Sequence, residues 1–106
     1  MDILFAAEDA LLGAAGTTEE EFGSNRLKRY AILHCLTLIG EASARIEKLG
    51  ATGLPDLPWP AMRGLRNVIV HEYEDVDTAR IWRIVVEELP IVIEKLDPLF
   101  PEREKR

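Results

Sequence analysis

The most reactive side chains of this sequence fall in one octet, Arg66-Asn67-Val68-Ile69-Val70-His71-Glu72-Tyr73. Imidazole is the side chain whose ordinary pKa lies nearest neutrality, so His71 can take or give a proton at physiological pH. Guanidinium is always charged and grips two oxygens of one phosphate, which is what Arg66 offers. A base and an oxyanion clamp without a metal cluster suit cleavage of an RNA phosphodiester. The 2′-hydroxyl would supply the nucleophile, His71 would move protons, and Arg66 would stabilise the charge that builds on the pentacoordinate phosphorus.

Successive residues of an α-helix advance by about 100°. With Arg66 at zero, Tyr73 stands at about −20°, Arg63 at about 60°, Asn67 at about 100° and His71 at about 140°. Met62, Leu65 and Ile69 fall between about −40° and −100°. One half of the helix is therefore apolar and the other carries the polar groups, with Val70 as the exception. Arg66 and His71 share a half but not a line. They meet at one substrate if they line a cleft, if the helix ends near His71, or if a second copy of the chain supplies one of them.

The elements that must position this octet are helical. Residues 2–15 repeat Leu4, Ala7, Leu11 and Ala14 at helical spacing, widened by Ile3, Ala10 and Leu12, with Gly16 as a stop. The acidic run Glu19-Glu20-Glu21 reads as a solvated turn, with room for a short helical turn capped by Thr17 or Thr18. Ser24 or Asn25 caps a long helix to about Leu49, closed by Gly50. It shows two apolar rows, Leu27, Ala31, Cys35, Leu38 and Ala42, then Ile32, Leu36 and Ile39. Two rows in a small domain imply two partners, the domain's own core and another protomer. Residues 50–60 hold three prolines and two glycines and form an extended connector, anchored by Leu54, Leu57 and Trp59.

The octet's helix runs from about Pro60 to His71 or Tyr73, so the reactive residues lie at its C-terminal end, where the dipole favours a protonated histidine. The last helix runs from Thr78 to about Leu96. Ile81, Val85, Leu89, Val92 and Leu96 form its core row, Trp82, Val86 and Ile93 a second, and Pro90 should kink it or break it in two. Residues 97–106 read as a frayed, charged tail. The whole is expected to be one all-α domain over 1–106, a four-helix up-and-down bundle that forms a homodimer.

Four stretches together resemble the HEPN superfamily, and within it the HepT-like toxins, small helical ribonucleases of prokaryotic toxin–antitoxin pairs. They are Arg66-x-x-x-x-His71-x-Tyr73, Leu36-Thr37-Leu38-Ile39-Gly40-Glu41-Ala42, the segment Leu57-Pro58-Trp59 to Gly64-Leu65-Arg66-Asn67, and Val86-Glu87-Glu88-Leu89-Pro90. The resemblance spans nearly the whole chain in order. It implies a metal-independent endoribonuclease without cofactor, acting as a dimer with Arg66 and His71 at a cleft between protomers and Asn67 in support. It also implies a partner, a small nucleotidyltransferase antitoxin that adenylylates Tyr73 and so silences the enzyme. Bulk and negative charge would then occupy the place of the RNA phosphate.

Composition sets limits on this. The chain has 106 residues, 47% of them hydrophobic, enough for one modest core. The single cysteine, Cys35, forbids an intrachain disulfide and suits a reducing compartment. No apolar run is long enough to span a membrane, and Met1-Asp2-Ile3 lacks a basic leader, so a cytoplasmic protein is expected. The formal charge of −6 counts against a general nucleic-acid binder and leaves room only for a local positive field, from Arg63 with Arg66 or from Arg26, Lys28 and Arg29. It also keeps open a second function, a catalytically weak helical module that binds a nucleotidyltransferase. His34 reads as a structural or interface residue and Cys35 as an inert core residue, with no further ligands at metal-site spacing. Glu41 could approach His71 across the helix pair.

Overall fold

The structure is a computed structural model. It describes the backbone of residues 2–50, 56–72 and 78–101, and the side chains of all of these except 2 and 66–72. Every regular element among them is helical. In chain order these are α1 (Asp2–Ala14), α2 (Glu19–Ser24), α3 (Arg26–Leu49), α4 (Trp59–Glu72), α5 (Thr78–Arg83) and α6 (Leu89–Leu96). The all-α class read from the hydrophobic periodicity is thus what the chain adopts.

Local chemistry explains the boundaries. Thr18 caps α2, its Oγ1 accepting from the Glu21 amide at 3.1 Å, and the three glutamates of the first turn face the positive end of the helix dipole. The Asn25 side chain caps α3 by accepting from the Lys28 amide at 3.0 Å. At the other end Gly50 turns left-handed, at φ 65°, and its amide donates back to the Glu47 and Ile46 carbonyls. A Cβ there would strain the backbone, so glycine closes the helix where a side chain would not.

The core is one apolar cluster drawn from all six helices. Helix α3 lies at its centre, packed along its length against α1 on one side and α4 on the other. Helix α1 also touches α6. The core row foreseen for the last helix is buried in full, Ile81, Val85, Leu89, Val92 and Leu96. In α1, by contrast, Leu12 is 75% exposed and adds nothing to the stripe.

Two departures concern α2 and the last helix. The acidic run is more than a solvated turn, because α2 carries Phe22 into the core with no exposure. The Phe22 ring packs against Trp82 of α5 at 5.5 Å between centroids, tilted by 41°. That contact gives Trp82 a partner inside the chain. The last helix, expected to kink at Pro90 or break in two, is divided into α5 and α6 by a π-helical turn, Ile84–Glu88. Proline has no amide to donate to residue 86 and its ring crowds that carbonyl. The widened turn answers this, with the Leu89 amide reaching back to the Ile84 carbonyl. Beyond α6 the chain makes a 3₁₀ turn, Asp97–Leu99, and Phe100 packs half-buried against the core.

One buried polar group stands out. Ser43 has no exposure, and its Oγ lacks a hydrogen-bond partner among the described residues. A buried hydroxyl without a partner costs free energy that a methyl group does not. Ser43→Ala is therefore expected to stabilise the protein by about 1 kcal/mol, raising Tm by roughly 4 °C. A calorimetric scan showing a lower Tm would mean that the hydroxyl is satisfied.

Candidate functional site

Helix α4 is fixed at its N-terminal end before it delivers the reactive octet. The Lys95 ammonium of α6 donates to the Asp56 carbonyl at 2.7 Å, and Leu57 is buried. The Trp59 amide donates to the Leu57 carbonyl at 2.8 Å and the Met62 amide to the Pro58 carbonyl at 3.0 Å. Pro60 costs nothing in this first turn, where its missing amide would have had no helical acceptor. The connector anchors Leu57 and Trp59 thus take part as expected, while Leu54 lies outside the described residues. Met62 and Leu65 turn into the core. Glu47 near the end of α3 pairs with Arg63 near the start of α4, so the two packed helices run antiparallel.

Given that anchoring, Arg66, Asn67 and His71 ride on the last two turns of α4, and His71 is its penultimate residue. Arg66 and His71 are separated by about 7.5 Å along the axis. The side chains of residues 66–72 and all of Tyr73 lie outside the described residues.

Three of the cations expected to make a local positive field hold contacts within the chain, and of these only Arg63 meets a carboxylate among the described residues. Arg63 is held in the ion pair with Glu47. Lys28 donates to the Thr17 hydroxyl at 2.6 Å, and Arg29 donates to the Gly23 carbonyl. These cations hold the fold's corners together, and an exposed pair such as Arg63–Glu47 is a modest stabiliser. Glu41 is exposed. Cys35 is half-buried. Burial, with the Asp9 carboxylate adding to it, pushes its thiol above the ordinary range, partly offset by a backbone hydrogen bond. Such a thiol is a poor nucleophile at neutral pH. Among the described residues no three His, Cys, Asp or Glu side chains gather as metal ligands would, and no helix is long and apolar enough to cross a membrane.

The two apolar rows of α3 meet different fates. Ile32, Leu36 and Ile39 are buried in the core. The other row faces outward at Leu27, 75% exposed, and Leu38, 40% exposed, with Tyr30, Ala31 and His34 also exposed on that side. Only Ala42, and in part Cys35, are covered by the chain itself.

An open cleft of about 510 Å³, not foreseen from the sequence, lies between the first turns of α4 and the run from α5 to α6. Met62, Leu65, Leu89 and Val92 line it, and Arg83 with Glu87 and Glu88 stands at its rim. Pro90 was the available signal, since the irregular turn that it imposes forms one wall.

A helical bundle whose fourth helix ends just after an Arg–Asn–His series has the architecture of a HEPN-like protein. The family model described as "Ribonuclease HepT-like" matches residues 3–99, and the chain belongs to that family. It is similar to "Putative RNase MJ1380" of Methanocaldococcus jannaschii, 35% identical over 96 residues, 91% of this chain and 88% of that protein. It is also similar to "Probable ribonuclease HepT" of Thermococcus cleftensis, 31% identical over 80 residues, 76% of this chain and 73% of that protein. No solved structure matches it.

Proposed function

We propose that this protein is a metal-independent endoribonuclease toxin of the cytoplasm, a single domain active as a homodimer. His71 transfers protons, Arg66 binds the scissile phosphate and stabilises its charge, and Asn67 positions it. Attack by the 2′-hydroxyl leaves a cyclic 2′,3′-phosphate and a 5′-hydroxyl. A cognate nucleotidyltransferase antitoxin silences the enzyme by adenylylating Tyr73. The observation that carries this reading is family membership across residues 3–99, and it is supported by Arg66, Asn67 and His71 belonging to the one helix α4. The outward row of α3 supports the homodimer, because exposed leucines on one helix face gain by burial against a second copy.

The neutralised Arg63 and the formal charge of −6 favour a second reading, a catalytically weak module that serves to bind the nucleotidyltransferase. One experiment separates the two. The chain is expressed with and without the gene beside its own, and RNA cleavage in EDTA and intact mass are measured on both preparations. The expected result is cyclic-phosphate products from the chain made alone. The co-expressed chain should be silent and heavier by whole adenylate units, and Tyr73→Phe should prevent the mass change. No cleavage by the chain made alone, with a tight complex of unmodified mass, would establish the binding module instead.

A further inference from the structure

The cleft beside α4 plays no part in the proton and phosphate chemistry proposed above. Its lining residues Met62, Leu65, Leu89 and Val92 are apolar and buried. Its rim combines two guanidiniums, Arg80 and Arg83, with two carboxylates, Glu87 and Glu88. Arg83 makes no ion pair among the described residues. The cavity falls within the usual range for small-ligand sites, roughly 300–1,000 Å³.

We infer that this cleft is a nucleoside subsite, and that it prefers guanine in the RNA strand next to the cleaved linkage. The inference rests on the ribonuclease reading. Leu65 lines the cleft and directly precedes Arg66. His71 lies six residues beyond Leu65, about 9 Å along the helix axis. On the helix wheel Leu65 stands about 100° from Arg66 and about 120° from His71, so a strand whose linkage lies at those residues curves around α4 to bring a neighbouring nucleotide to the cleft. Sequence-selective recognition of RNA usually takes a base out of the stack, covers its face with side chains and reads its Watson–Crick edge.

The lining and the rim suit those tasks. The apolar floor takes the face of a base. Ionised carboxylates only accept hydrogen bonds. On the Watson–Crick edge, guanine sets an N1–H and an exocyclic amino group side by side, two donors for one carboxylate. Adenine and cytosine offer an amino group beside a bare ring nitrogen, and uracil one N–H between two carbonyls, which a carboxylate repels. Arg83 on the same rim suits the phosphate of that nucleotide. A carboxylate rim would oppose a bare phosphate chain, so the mixed charge favours a base with its phosphate over backbone alone.

The test uses short single-stranded RNAs that differ only in the base beside the cleavage site, with guanine, inosine or adenine there, and reads kcat/KM. Guanine should be preferred over adenine by about tenfold to a hundredfold, the scale of a two-point base contact. Inosine, which keeps N1–H and lacks the amino group, should fall between. The double variant Glu87→Gln, Glu88→Gln should abolish the difference between guanine and adenine, and Arg83→Ala should raise KM.

A parallel titration with 5′-GMP and 5′-AMP, followed by amide NMR, should move the signals of Leu65, Glu87 and Glu88 for GMP at lower concentration than for AMP. Cleavage with equal rates on all bases, or GMP shifts confined to other residues, overturns the subsite. GMP binding at the cleft in a protein that cuts no RNA would overturn the ribonuclease reading and leave the subsite standing. Protection of the cleft amides by the nucleotidyltransferase, with no effect of GMP, would assign it to a protein contact and overturn the inference.

Discussion

His71→Ala is expected to lower RNA cleavage by a factor of about 10²–10⁴, the usual contribution of a positioned general acid or base. The fold should survive the change. The side chains by which α4 is seen to hold the core are Met62 and Leu65, more than a turn before His71. Far-UV circular dichroism and sedimentation should therefore match the unaltered protein while cleavage is lost. Arg66→Ala should act through the same transition state, so the double variant should be little worse than the more damaging single one. Equal cleavage by the unaltered protein and His71→Ala in clean preparations would remove the imidazole from the mechanism.

Phe22→Ala is expected to cost about 3–5 kcal/mol of stability, the range for deleting a fully buried aromatic ring. The ring is wholly enclosed and stacks obliquely on Trp82. A domain of this size has roughly 5–15 kcal/mol in total, so the loss is a large share of it. Phe22 is the buried residue of the six-residue α2, and a helix so short is not stable alone. Its release would uncover Trp82 and loosen the start of α5. Urea unfolding followed by Trp fluorescence, at one fixed protein concentration, should show a lower midpoint with an unchanged slope. A shift below about 1 kcal/mol would mean that α2 is a decoration on the bundle and not a part of its core.

Much of the architecture was legible before any coordinates. Asn25 as the cap of α3, Gly50 as its stop, and the buried row from Ile81 to Leu96 are local properties, set by capping chemistry and by the 3.6-residue period. The Arg66, Asn67 and His71 series was also legible, because side-chain chemistry and helix spacing are written in order along the chain. Its seat on α4 follows from Pro60, which suits the first turn of that helix.

Other features depend on elements that are distant in sequence. Phe22 was hidden in an acidic run because its burial depends on Trp82, sixty residues later. Arg63 looked like part of a phosphate-binding surface until the antiparallel packing of α3 and α4 brought Glu47 to it. Of the two rows on α3, nothing local says which one the chain itself will cover. Hydrophobic periodicity records that a face is apolar, whereas burial depends on which neighbour arrives. For the same reason the cleft between α4 and the π-turn belongs to the assembled bundle. Pro90 dictates that the helix must deviate, and only the packed fold decides that the deviation sets Glu87 and Glu88 across from Met62 and Leu65.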